Sequence, residues 1–144
     1  MTKPAPQSET CLCMTLRRAT RAATRLYDAQ MKKTGLKITQ FSLLRNIRRA
    51  GEITVTELAR LLDLERTAMG RNLDLLEREG LIQTIGSDDD QRVRVVRLTP
   101  KGRRTEAAAL PVWRQAQTEM KQRLRKGAFR SLNDLFATDL APKA

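Results

Sequence analysis

From Ile53 to Thr99 the chain reads ITVTELARLLDLERTAMGRNLDLLEREGLI and then QTIGSDDDQRVRVVRLT. In the first block apolar residues recur at three and four, the spacing of one face of a helix. In the second, two β-rich runs flank a turn loaded with Gly, Ser and Asp. Two short amphipathic helices, a strand, an acidic turn and a second strand make a helix-turn-helix with a wing. That order lets the second helix enter a major groove while the hairpin reaches the backbone or the minor groove beside it.

Thr54 and Glu57 form a T-x-x-E capping box, in which the hydroxyl takes a free amide of the first turn and the carboxylate reaches back to another. A helix is expected to start there with Leu58, Leu61 and Leu62 buried, and the LDLE segment breaks it before Arg66. Met69, Leu73 and Leu76 then face the core, leaving Arg66, Thr67, Gly70, Arg71, Asp74 and Arg78 outside. Arginine can donate a bidentate pair to guanine, Thr67 and Ala68 can approach a thymine methyl, and Gly70 lets the helix lie close to a groove floor. A surface helix of a small bundle would show the same face, so the wing adds the discriminating information. Leu81 to Ile85 and Val93 to Leu98 are its strands, with Arg92 just past the turn and Asp90 placed to hold the guanidinium in an aimed rotamer. A plain strand-edge salt bridge is the competing reading of that pair. Thr39, Thr54, Thr56 and Arg94 complete the expected DNA-contact set.

The flanks are helical. The first helix is expected from about Ser8 to Thr34, with Leu12, Leu16, Ala19, Ala23 and Leu26 on one face, Arg17, Arg18, Arg21 and Arg25 on the other, and Gly35 at its end. A second is expected to begin at Thr39 as its cap, burying Phe41, Leu44 and Ile47, and Ile53 is a short apolar link able to meet the wing. Thr99 caps a last long region whose first helical position is Pro100. Pro111 is expected to kink it, and Gly127 to separate a final helix carrying Phe129, Leu132, Leu135, Phe136 and Leu140. The fold class is therefore mainly α with a small β-hairpin: a flexible leader over 1–10, a winged helix-turn-helix over 37–104, and dimerisation helices over 11–36 and 105–144, integrated in one domain. The terminal helices present more apolar surface than a small winged unit can cover, and a homodimer through Leu12, Leu16, Ala19, Phe129, Leu132, Leu135 and Phe136 resolves this.

The 144 residues carry 28 Lys and Arg against 16 Asp and Glu, a formal charge of +12 that favours a polyanionic partner. The excess is uneven: 11 basic and 3 acidic groups lie in 1–53, 10 and 9 in 54–104, and 7 and 4 in 105–144. A nearly neutral reading head argues for individually placed arginines rather than sequence-independent coating of DNA by an architectural protein, the rival binding function. The lack of an apolar run of about 18 residues or an export signal points to a cytoplasmic protein without a membrane partner. The basic first helix lacks interfacial Trp, which disfavours surface binding to a membrane. Histidine is absent, as are a glycine-rich phosphate loop and a nucleophile elbow, so an enzyme is not expected. No cofactor is expected, and no metal, since Cys11 and Cys13 supply two ligands at most.

The TQFSLLR segment, the TVTELARLLDLERTAMGRNLDLLEREGLI block, the D-x-R of Asp90 and Arg92, and RLTPKG from Arg97 to Gly102 together resemble the MarR family of bacterial winged-helix regulators, over about residues 12–140. The resemblance implies a triangular homodimer on a near-palindromic operator, a recognition helix over about Arg66 to Glu79, and a wing whose Arg92 enters the minor groove braced by Asp90. Gln91 stands where an arginine is common in the family, which puts in doubt a second wing contact, not that of Arg92. The resemblance also implies a repressor released by a small phenolic or aromatic acid, or by cysteine oxidation. The expected ligand pocket lies where the first and fifth helices meet the head, near Tyr27, Phe41 and Trp113, with Arg21 or Arg25 pairing the acid; Phe41 is also a natural core residue. Cys11 and Cys13, two residues apart on a helix, would point about 200° apart and could not readily bond to each other. They are redox candidates through a partner chain, or residues packed in the dimer interface.

Overall fold

The computed structural model describes residues 10–86, 89–90 and 92–137, with the side chains of 136 and 137 left aside. Most of the expected leader, Gln91, Leu140 and the Phe136 side chain therefore lie outside the described residues. Among the described residues, six α-helices and a three-stranded antiparallel sheet follow one another: α1 Leu12–Met31, α2 Ile38–Ala50, β1 Glu52–Thr54, α3 Val55–Leu61, α4 Arg66–Arg78, β2 Ile82–Gly86, β3 Arg94–Leu98, α5 Pro100–Arg123 and α6 Ala128–Ala137. This is the mainly α, winged helix-turn-helix class expected from the sequence.

The sheet order is β1-β3-β2, so the link at Ile53 does become a strand. Glu52 pairs with Arg97 and Gln83 pairs with Arg97 from the other side. Along that row the Arg97 guanidinium donates to Gln83 Oε1 from Nε at 3.2 Å and from Nη2 at 3.1 Å, and reaches Glu52 Oε1 at 3.5 Å. One long side chain thus crosses all three strands on the outer face, while Ile82, Val96 and Leu98 turn inward. They meet Leu58 of α3, Met69, Leu73 and Leu76 of α4, and Phe41, Leu43, Leu44 and Ile47 of α2 in one core.

Side-chain caps fix the starts of α3 and α5. Glu57 N–H donates to Thr54 Oγ1 at 3.1 Å, Thr54 N–H to Glu57 Oε2 at 3.1 Å, and the Thr54 hydroxyl to the same oxygen at 2.8 Å. The start of α2 departs from expectation. It opens at Ile38, with Thr39 inside the first turn rather than capping it. The free amides are met by other side chains: Lys37 N–H donates to Gln40 Oε1 at 2.8 Å and Ile38 N–H to Asp28 Oδ1 of α1 at 2.8 Å. The first helix begins at Leu12 rather than near Ser8, and it tightens into a 3-10 turn at Lys32–Thr34 before the left-handed Gly35. Leu61 is 60% exposed, because the inward face of α3 runs through Val55, Leu58, Ala59 and Leu62 and leaves Leu61 to one side. Pro111 does not interrupt α5, which continues past it to Arg123; the ring lies on the exposed side about three turns in.

The first turn of α5 is keyed to the end of α4. Thr99 Oγ1 accepts from Gly102 N–H at 3.0 Å and donates to the Gly80 carbonyl at 2.5 Å, while Thr99 N–H donates to the Leu81 carbonyl at 3.1 Å. Lys101 Nζ reaches the Glu79 carbonyl at 2.7 Å, a cation at a helix C-terminus. Gly102 is buried against Leu81 so tightly that an added Cβ would fall 1.9 Å from the Leu81 carbonyl oxygen.

Two outcomes follow. Gly102→Ala forces backbone apart and should lower the urea-unfolding free energy by at least about 3 kcal/mol; an unchanged midpoint would contradict the close approach. The hydrogen bonds from the Thr54 hydroxyl and amide, with a smaller contribution from Arg60, hold the Glu57 carboxyl below its usual range. A depressed carboxyl stabilises the fold above its unfolded value, about 4.3, and loses that contribution as pH falls through the lower folded value. The stability gap between the wild type and Glu57→Gln should therefore narrow in denaturation curves below about pH 4; a gap that persists there would contradict it.

Candidate nucleic-acid interface

With Met69, Leu73 and Leu76 inward, the 100° step of the helix puts Thr67, Arg71 and Arg78 on the outward crest of α4 and Arg66, Gly70, Asp74 and Glu77 on its flank. The flank forms one wall of a cleft of about 810 Å³. Thr54, Thr56 and Arg60 of the α3 region form another, and Thr84, Arg92 and Arg94 of the wing the third. Val55, Ala59, Leu64, Leu73 and Val93 give it an apolar floor. Most of the expected DNA-contact residues thus converge on one surface, as crest or as cleft. Nothing lies within 4 Å of a Cβ added at Gly70, so that stretch of α4 is open to close approach. The start of α4 carries no side-chain cap, leaving its first amides available to an acceptor.

Acidic and basic groups alternate around this surface. Asp63, Asp74 and Glu77 line the cleft beside Arg60, Arg66, Arg92 and Arg94. Among the described residues no ion pair engages Arg66, Arg71, Arg92 or Arg94. Glu77 instead accepts from Thr84 N–H at 2.9 Å, tying α4 to β2.

Three expected roles come out differently. Asp90 works on the backbone of the wing: its Oδ1 accepts from Arg92 N–H at 2.9 Å, and its carbonyl from Val93 N–H at 2.9 Å. It shapes the turn that presents Arg92 rather than gripping the guanidinium. Thr54 lines the cleft, but its hydroxyl is occupied by the α3 cap. Thr39 lies in the first turn of α2 and is not among the cleft residues. Arg60 is the residue sequence reasoning missed. It stands two positions from the buried Leu58, so its outward placement was available from the same periodicity that located the core.

The five residues expected to form a ligand pocket do not converge. Phe41 is 1% exposed and stacks on Trp113 with ring centroids 5.7 Å apart and planes at 28°, which makes it core. The Tyr27 hydroxyl donates to Gln117 Oε1, and burial pushes its phenol above the usual range. Arg21 and Arg25 are exposed, roughly 120° and 160° around α1 from Tyr27.

The terminal helices carry exposed apolar side chains. Leu12 is 71% exposed and Phe129 49%, with Met14, Leu16, Leu132 and Leu135 also open and Ala19 exposed beside them. Cys11 and Cys13 are both exposed, so neither packs into the core of its own chain. Cys11 is extended, with φ −60° and ψ 118°, and precedes α1, so the 200° separation expected of two helical residues does not apply. Among the described residues no helix is long and apolar enough to cross a membrane, and no cluster of three or more metal-ligating side chains occurs.

Comparison with known proteins bears on this architecture. Residues 34–93 match the family model described as MarR family. The chain is 37% identical over 78 residues to the multiple antibiotic resistance protein MarR of Salmonella typhimurium, a match covering 54% of each protein; the chain thus spans about half the length of the curated relatives it matches. Among solved structures, the transcriptional regulator MosR of M. tuberculosis, crystallised in complex with DNA, is 35% identical with a TM-score of 0.79, covering 88% of this chain and 93% of that one. A cysteine-to-serine mutant of E. coli MarR complexed with operator DNA has a TM-score of 0.81 at 22% identity, covering 96% and 100%, and so shares the fold. On the family-model match and the near full-length likeness to MosR, the chain belongs to the MarR family.

Proposed function

We infer that the protein is a dimeric, sequence-specific DNA-binding transcriptional regulator, acting as a repressor, that reads a near-palindromic operator. The observation that carries this reading is the surface on which the α4 crest, the uncapped start of α4 and the arginines of the wing lie together. Thr67, Arg71 and Arg78 face the major groove, Arg92 and Arg94 reach the minor groove or its phosphates, and Thr56, Arg60 and Arg66 meet the backbone between them. MosR of M. tuberculosis, similar over nearly its whole length, provides the precedent of a DNA complex. The exposed apolar residues of α1 and α6 support a second copy as the partner that covers them.

Release by a small aromatic acid fits the cleft better than the region of Tyr27 and Trp113. Its floor is apolar, its walls carry guanidinium groups, and an occupant there would compete directly with the duplex. Peroxide is a second route, supported by two exposed thiols outside or at the very start of α1: two thiols and one peroxide give a disulfide and two waters.

The test is nuclease protection on duplex from the promoter region beside the gene. Arg71→Ala should cost about 1–3 kcal/mol and relax preference at one base position, whereas loss of a phosphate contact should weaken all sequences alike and flatten the salt slope by about one. Arg92→Ala should also weaken the protected site. Equal affinity of the wild type for operator and random duplex would contradict the reading. Protection that neither a panel of benzoate-type acids nor peroxide relieves would remove the proposed release.

A further inference from the structure

Glu106, in the second turn of α5, is 1% exposed and faces α2. Its two oxygens are held separately: Arg45 Nη1 lies 2.9 Å from Oε1 and Arg48 Nη1 2.9 Å from Oε2, with Arg48 also donating to the Arg103 carbonyl at 2.9 Å. Arg45 and Arg48 are three residues apart on α2 and so share a face, where two guanidiniums repel unless a charge lies between them. Burying a carboxylate costs several kcal/mol even in a good pair, and an apolar side chain would join the two helices without that cost. What the ionic arrangement adds is direction, because two charge-assisted bonds from one carboxylate define an angle that apolar contact leaves free.

The same stretch of α5 is anchored on its other side by Thr99, Lys101 and the close approach of Gly102 to Leu81. Five residues separate Lys101 from Glu106, about 7.5 Å of helix. Within that length α5 is fastened to the end of α4 and to α2, and it then runs on to the region whose exposed apolar residues await a second copy. Over its 24 residues a tilt of about 5° at the joint moves the far end by about 3 Å, close to the rise of one base pair.

We propose that Glu106 is a positioning residue for operator recognition: by clamping Arg45 and Arg48 against α5 it sets the angle at which the dimer helix leaves the reading head, and so the half-site spacing the dimer accepts. This rests on the DNA-binding reading above. The test uses the full-length wild type and Glu106→Gln, a duplex selected by the wild type from a randomised library, and the same duplex with one base pair inserted or removed between half-sites, at fixed salt. The wild type should lose about tenfold or more in affinity on either altered spacing. Glu106→Gln should discriminate by less than about threefold while keeping wild-type dimer content and wild-type affinity for random duplex. Glu106→Asp, which keeps the charge, should recover part of the discrimination. If Glu106→Gln loses its helical signal, Arg45→Met at a partly exposed position carries the same expectation. A variant that discriminates spacing as sharply as the wild type would overturn the proposal, even with a lowered Tm, and so would a wild type indifferent to spacing. A wild type that selects no duplex would overturn the DNA-binding reading itself and this proposal with it.

Discussion

The placement of α4, the proposed recognition helix, depends on the contact between the first turn of α5 and the turn that ends α4. Gly102 lies where no side chain fits, against the Leu81 carbonyl, and Thr99 and Lys101 take the carbonyls of Gly80 and Glu79. Those carbonyls lie in the turn that directly follows α4 and would otherwise need water or a cap. One short segment therefore ends α4, starts α5 and orients one relative to the other. The sheet follows from the same joint, since Thr99 directly succeeds β3 and its amide bonds Leu81, the residue before β2.

Charge acts here through placement more than through total. The excess of +12 resides largely in the flanks, while the reading surface alternates signs. On the proposed reading, long-range attraction to phosphate is then separable from local readout: the flanks would raise the encounter rate, and arginines set among carboxylates would favour a duplex whose donors and acceptors match over one that is merely anionic. On the same reading, Asp74 or Glu77 pressed against phosphate would be a penalty that operator geometry has to avoid, a means of rejecting wrong sequences.

Much of this was legible in the sequence where the cause is local. The Thr54–Glu57 box, the Thr99–Pro100 start and the inward set Leu58, Met69, Leu73 and Leu76 depend on residues within a few positions of one another, and each appears as expected. Failures occur where a distant partner or the conformation of a turn decides. Thr39 looked like a cap, but Asp28 from α1 and Gln40 take the free amides of α2. Asp90 was placed near Arg92 correctly, yet whether it binds the guanidinium or the amide depends on the turn conformation. Phe41 and Trp113 meet across 72 residues and become core rather than pocket. Glu106 reads as an ordinary surface residue of a charged helix until α2 brings two arginines to it from 61 and 58 positions away.

The central claim is that two copies of this chain present two recognition helices at a separation matched to duplex pitch. Hydroxyl-radical protection of the selected duplex, combined with the mass of the complex from sedimentation, tests it directly. The account predicts two protomers per duplex and two protected segments roughly 34 Å apart, one helical turn, related by the near-palindrome. A single protected segment at one protomer per duplex, or uniform protection along the duplex, would contradict it.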